Sequence, residues 1–255
     1  MSEKKPISEI KALFNGADIK TLPELITEFS SDERAGVQTL INSSNKKIEK
    51  YNNELKRLEI MREFEKKYEG DFDFICGLDE VGRGPLAGPV VTGAVILPKG
   101  LKIMYVNDSK QLSEKMREEL SLEIMDKAIA YSFGVVDNEV IDDINILQAT
   151  FKAFRMAIND LSVKPDILLN DAVKIPEVDI RQVPIIKGDA KSISIASASI
   201  IAKVKRDKMM VEYDKIYPEY GFASNKGYGS QAHIEALKKY GPTPIHRKSF
   251  IGNFI

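Results

Sequence analysis

Three apolar stretches of the chain each run into an acid: residues 74–78 into Asp79 and Glu80, residues 165–170 into Asp171, and residues 184–188 into Asp189. In a sheet covered by helices the strand ends collect at one rim, so acids far apart in sequence can meet there. Carboxylates brought together without a counter-ion repel and raise one another's pKa values. A divalent cation relieves that repulsion, and ligation by oxygen alone selects Mg2+ or Mn2+. Two such ions form the arrangement that supports in-line displacement at a phosphodiester. Taken singly, each acid reads equally well as a turn residue or a helix cap. The loop Gly82-Arg83-Gly84 follows the first two acids directly. Glycine lets backbone N–H and C=O groups come close to a ligand, so beside a candidate metal pair this loop reads as a recogniser of sugar or phosphate. Alone, Gly-Arg-Gly is a common hairpin loop.

Composition narrows the alternatives. The chain has 255 residues, with 37 Lys+Arg against 38 Asp+Glu. That length suits one large domain, or one domain with a smaller appendage. The single cysteine, Cys76, excludes an internal disulfide and a cysteine-based zinc site, and His233 and His246 are the only histidines. No apolar run is long enough for a bilayer, and the first residues lack a signal-like apolar stretch, so a cytoplasmic protein is expected. The charge is uneven: residues 187–255 carry 12 basic and 6 acidic side chains, so the C-terminal part can attract phosphates locally.

These groups need elements to position them. Residues 1–70 read as a helical region, with a stripe through Ile48, Tyr51, Leu55, Leu58, Met61, Phe64 and Tyr68 at spacings of three and four. Its role is open between a packed appendage and a substrate-gripping aid. The character changes at Asp71. Residues 72–79 and 88–97 read as two strands joined by the glycine loop, hence antiparallel neighbours. A helix over 113–130, a strand over 131–136, a helix over 144–161, strands at 165–171 and 184–187, and a long helix over 193–217 complete the order. This pattern predicts an α/β fold over 71–255, a mixed sheet with helices on both faces and a C-terminal helical part.

Four blocks then give a specific likeness. ICGLDEVGRGPLAGPV at 75–90 resembles the opening motif of bacterial ribonuclease HII. NDSKQL at 107–112, KGDAKS at 187–192 with the helix that follows it, and KGYG at 226–229 with HRKSF at 246–250 resemble later blocks of that family in the same order. The resemblance implies an RNase H-like fold and the catalytic, metal-binding carboxylates Asp79, Glu80, Asp171 and Asp189. It implies recognition of a ribose 2′-OH by Gly82, Arg83 and Gly84, contact of Tyr228 with the sugar at an RNA–DNA junction, and phosphate contacts from Lys110 and around Ser192. The implied activity is endonucleolytic cleavage of the RNA strand of RNA–DNA hybrids, and of DNA duplexes 5′ to embedded ribonucleotides. It leaves 5′-phosphate and 3′-OH ends; a monomer is expected, and no protein partner is implied. One departure is Asn170-Asp171-Ala172, where the family often has Asp-Gly.

Two rival classes are distinguishable. A dinucleotide-binding enzyme needs its glycine loop to open a helix, and this one runs into Pro85 and then a strand. A non-catalytic nucleic-acid-binding module differs from the enzyme in lacking metal-dependent cleavage of a hybrid. Cys76 reads as a small buried apolar residue. Neither histidine has a partner acid or nucleophile at a recognisable spacing.

Overall fold

The computed structural model describes residues 5–254. The chain forms two compact units, Met1–Glu59 and Ile60–Ile255, so the division falls some residues before Asp71, where the sequence changes character. In the first unit, α1 (Ile7–Gly16), α2 (Leu22–Glu28) and most of α3 (Ala35–Met61) enclose a core of Ile10, Phe14, Leu22, Phe29, Val37 and Ile41. The helix expected along the stripe from Ile48 to Tyr68 is broken: Arg62 leaves helical geometry, and α4 (Glu63–Tyr68) starts after it.

The second unit is built on a five-stranded sheet: β1 (Ile75–Val81), β2 (Val90–Ile96), β3 (Ala130–Val136), β4 (Ile167–Asp171) and β5 (Arg181–Ile185), in the order β3-β2-β1-β4-β5. β1/β2 and β2/β3 are antiparallel, and β1/β4 and β4/β5 are parallel, so the sheet is mixed as expected. β5 begins three residues before the expected stretch. It is an edge strand, where Pro184 can sit without breaking an internal ladder.

Helices cover both faces. Alternate residues of β1 divide between them: Cys76 and Leu78 join Phe154 and Ala157 of α6 (Asn138–Asn159), while Ile75 packs with Ile195 of α7 (Ile193–Ile216). The small residues of α7 bring it directly onto the sheet. A Cβ added to Gly77 would lie 2.1 Å from the Ser194 carbonyl carbon, so only glycine lets helix and strand approach this closely. α6 starts before the expected residue 144 and kinks at Asn145 (φ 67°), whose side chain accepts the N–H groups of Leu147 and Gln148 and so caps a second helical segment. α5 (Glu114–Lys127) opens on the Ser113 cap. The C-terminal helices α8 (Phe222–Asn225), α9 (Gln231–Tyr240) and α10 (Lys248–Ile251) share a core with Leu86, Ala87 and Met210, which ties them to the segment after the glycine loop.

Candidate active site

The last paired position of the two central parallel strands is Leu78 with Asn170, so Asp79 and Asp171 stand side by side just past it at one rim, each still paired on its other side, Asp79 with Gly93 of β2 and Asp171 with Ile185 of β5. Asp189 reaches that rim from a 3-10 turn at Gly188–Ala190, just before α7. The Gly188 N–H donates to Asp171 Oδ1 at 2.7 Å, tying the second acid to the third. Ser192 caps α7 through the Ile195 N–H, and its own hydroxyl donates to Glu65 Oε1 at 2.5 Å. The Ser194 N–H also donates to Glu65, so the start of α7 is anchored to α4.

The electrostatics are those of acids crowded without enough counter-charge. Burial, then the Glu80 and Asp171 carboxylates, push Asp79 well above the usual carboxylate range, against a hydrogen bond from Ser199. The Ser199 hydroxyl also lies 2.9 Å from that of Ser109, so a buried pair of hydroxyls backs this acid. Glu80 is raised by burial, opposed chiefly by Arg83, whose Nη1 donates to its Oε1 at 3.2 Å. Asp189 is raised by burial, then by Asp171 and Asp108, and opposed by Lys110. Lys110 is 82% exposed, with Nζ 4.0 Å from Asp189 Oδ2.

This donor set is all oxygen, anionic and mutually repelling, which is the chemistry that suits a hard divalent cation rather than zinc or copper. The carboxylates converge without closing into a finished cage: among the described residues no three acid, imidazole or thiol groups are spaced to hold an ion as they stand.

The glycine loop lies beside this rim. Gly82 is buried with φ +91°, and Arg83 and Gly84 are exposed. The carbonyls of Gly82 and Arg83 turn inward, where the Arg247 guanidinium donates to both. In a trans peptide the N–H points opposite to its carbonyl, so the N–H groups of Arg83 and Gly84 turn outward. Among the described residues neither N–H has a protein acceptor. Tyr228 is 45% exposed, and a Cβ on Gly84 would lie 3.8 Å from its ring, so the loop and the aromatic flank one space.

Asp79, Glu80, Asp171, Asp189, Gly82, Arg83, Gly84, Lys110 and Tyr228 therefore gather in one region, linked by the contacts above. Ser192 does not. It is fully buried, with its hydroxyl committed to Glu65 and the α7 N-terminus, and it offers nothing to a phosphate. At the departure from the family pattern, Ala172 takes φ +57°, the left-handed conformation that glycine adopts without strain.

Sequence reasoning missed Ser199, Glu65, Arg206 and Arg247. Arg206 and Arg247 sit inside two of the resembling blocks, but nothing in the sequence marks them as fully buried. It also missed a histidine pair. His246 Nδ1 accepts the Thr243 N–H at 2.9 Å, so its Nε2–H donates to His233 Nε2 at 3.0 Å, and His233 Nδ1–H donates to the Tyr228 carbonyl at 2.8 Å.

Comparison with known proteins identifies the family. Residues 76–253 match the family model described as Ribonuclease HII, and residues 6–69 match the one described as Ribonuclease HII N-terminal domain. The chain is 61% identical over 226 residues to a ribonuclease HII of Lachnoclostridium phytofermentans, covering 89% of each chain. It is 50% identical over 254 residues to that of Clostridioides difficile, covering 99% of this chain and 100% of the other. Among solved structures, the ribonuclease H2 of Pyrococcus horikoshii OT3 aligns with a TM-score of 0.57 at 30% identity, over 69% of this chain and 93% of that one. With an RNase H-like sheet, its acids at one rim and family matches along nearly its whole length, the chain belongs to the ribonuclease HII family of metal-dependent ribonucleases H.

Proposed function

We propose that this ribonuclease H, besides acting on the RNA strand of RNA–DNA hybrids, cuts duplex DNA on the 5′ side of single embedded ribonucleotides, leaving 5′-phosphate and 3′-OH ends. The observation that carries the reading is the pair of outward N–H donors at Arg83 and Gly84, next to the Tyr228 ring and beside the acidic rim. A 2′-OH is what separates RNA from DNA at a given position. Two small donors on a glycine loop can donate to that hydroxyl's oxygen without a side chain in the way. The Tyr228 ring can then press on the neighbouring deoxyribose, where no 2′-oxygen obstructs it.

Asp79, Glu80, Asp171 and Asp189 are the residues that would hold Mg2+ or Mn2+. When bound, two such ions supply activation of water on one side of the phosphorus and stabilisation of the leaving 3′-oxygen on the other. The chain's own groups do the rest. Burial and mutual repulsion make the carboxylates poor solvated anions and good cation ligands. Ser199 orients Asp79. The Gly188 N–H keeps Asp171 Oδ1 turned toward the Asp189 turn. Arg83 is held on Glu80 and is free to turn to a phosphate when cations take over that carboxylate. Lys110, exposed above the acids, meets the backbone of the substrate.

Residues 1–70 strengthen hybrid binding, and 71–255 carry catalysis. A family-model boundary between residues 69 and 76 supports this division. The enzyme acts as a cytoplasmic monomer without an obligatory protein partner, and among the described residues no helix is long and apolar enough to cross a membrane. The experiment is a comparison of initial rates on a DNA duplex with one ribonucleotide and on the same duplex in all-DNA form, with Mg2+ and with Mn2+. Metal-dependent cutting of the first alone supports the reading. Equal cutting of both rejects it.

A further inference from the structure

Arg206 and Arg247 are among the largest fully buried side chains of the protein, and the mechanism above uses neither directly. Their donors go to carbonyl oxygens. Arg247 donates from Nη2 to Gly82 O at 2.6 Å, from Nη1 to Arg83 O at 3.0 Å, and from Nη2 and Nε to Gly88 O at 2.8 and 3.0 Å. Arg206 donates from Nε to Pro89 O at 2.9 Å, from Nη2 to Ala87 O at 3.1 Å and from Nη1 to Lys226 O at 2.8 Å. Burial lowers both guanidinium pKa values, Arg206 to about 10 and Arg247 to about 9, so both remain cationic at neutral pH.

Two consequences follow from amide geometry. A guanidinium that takes the Gly82 and Arg83 carbonyls fixes the direction of the Arg83 and Gly84 N–H groups, because each pair shares one rigid plane. It also polarises those amides, and a hydrogen bond on the carbonyl strengthens the N–H as a donor. Arg206 adds the second half. It grips the far end of the loop at Ala87 and Pro89 and, with the same side chain, Lys226, two residues before Tyr228. The Leu86 N–H donates to Gly227 O at 2.8 Å and closes the same connection. Gly82 accommodates this closeness: a Cβ there would lie 2.2 Å from Arg206 Nε.

We propose that Arg206 and Arg247 are positioning residues for ribonucleotide discrimination: Arg247 aims the Arg83 and Gly84 N–H donors, and Arg206 sets the spacing between that loop and Tyr228. The proposal rests on the reading that the loop recognises the 2′-OH. Lysine at either position keeps the charge but offers a single compact ammonium, which cannot span carbonyls that a planar fork reaches together.

The test uses full-length R247K, R206K and Gly84→Ala proteins. Initial rates are measured on the single-ribonucleotide duplex, a long hybrid and an all-DNA duplex, alongside metal titrations and thermal melts. Each Arg→Lys variant should lose about 100-fold in kcat/KM on the single-ribonucleotide duplex, the effect of an ångström-scale misplacement, and much less on the long hybrid. The metal midpoint should stay unchanged. A merely structural role would reduce both substrates by the same factor, following the folded fraction, and that result overturns the proposal. Unchanged discrimination in R247K and R206K while Gly84→Ala loses it also overturns the proposal but leaves the loop reading intact. Unchanged discrimination in all three overturns the loop reading itself. The wild-type protein provides an arm that needs no core substitution. In 15N NMR, the Arg247 Nε–H should exchange slowly, and the Arg83 and Gly84 amide signals should move on adding the ribonucleotide duplex with Ca2+ and stay still with all-DNA. An Arg247 Nε–H that exchanges as fast as a surface arginine counts against the proposal.

Discussion

Replacing Gly82 or Gly84 by alanine adds the same methyl two residues apart, with opposite expected consequences. At Gly82 the backbone is left-handed, φ +91°, and the new Cβ would sit 2.2 Å from Arg206 Nε and 2.7 Å from Pro89 O. The unfavourable φ costs about 1–2 kcal/mol and overpacking a further 1–3, so Gly82→Ala should lose roughly 2–5 kcal/mol. At about 2–4 °C per kcal/mol for a chain of this size, the melting temperature should fall by roughly 4–20 °C. At Gly84 no positive φ applies, and the nearest atom to a new Cβ is the Tyr228 ring at 3.8 Å, an ordinary contact. An exposed substitution of this kind stays within about 0.5 kcal/mol, under about 2 °C. Yet the methyl fills the space between the loop and the ring, the proposed seat of the ribose. Gly84→Ala should therefore melt like the wild type and lose on the order of 100-fold in kcat/KM on a single-ribonucleotide duplex. Calorimetry and initial rates on the two variants decide it. A Gly84→Ala enzyme with wild-type rates would refute the placement of substrate in that gap, and an unaltered melt for Gly82→Ala would refute the packing argument.

Other expectations follow from single features. Asp79→Asn should abolish cleavage while the metal-free protein melts no lower than wild type, because the substitution removes a buried charge already opposed by Glu80 and Asp171; near-normal turnover would take Asp79 out of the metal site. Tyr228→Ala should lose more on a single-ribonucleotide duplex than on a long hybrid, which offers many registers, and equal losses would make Tyr228 a packing residue. His246 is held down to about 4 by burial and by His233, below an unfolded value of about 6.5; the unfolded chain then takes up the proton first, so stability is lost as pH falls from about 6.5 toward about 4, and thermal melts of His246→Asn should show a shallower slope across that window. Ala172→Gly should raise stability by about 0.5–1 kcal/mol, since relief of the left-handed φ outweighs the added chain entropy, as a denaturant midpoint would show.

The parts of the fold that the sequence made legible are those set by local pattern. The alternation of β1, the turn chemistry of the glycine loop and the acids near the ends of three strands each follow from neighbouring residues, although only Asp171 is the last residue of its strand: Asp79 and Glu80 lie inside β1, and Asp189 sits in the turn beyond β5. What the pattern could not reveal depends on through-space partners. Arginine is ordinarily a surface residue, so the burial of Arg206 and Arg247 is invisible until the inward carbonyls of the loop are known. The family resemblance implies a phosphate contact around Ser192, but its place as the α7 cap, against the buried Glu65 carboxylate, draws it inside. The histidines stand 13 residues apart and meet only because α9 and the segment before α10 pack together. The helix break at Arg62 likewise interrupts a stripe whose periodicity continues past it.

In the proposed function, one rim of carboxylates, guided by a loop that reads a 2′-OH, directs hydrolysis to one phosphodiester. The most direct measurement is end-group analysis of products from a duplex carrying a single ribonucleotide, with and without divalent metal. The expected product pattern is a metal-dependent cut at the 5′ side of the ribonucleotide, giving a 3′-OH on one fragment and a 5′-phosphate on the ribonucleotide-bearing one. A cut on the 3′ side, a cyclic phosphate end, or cleavage that persists without metal would contradict it.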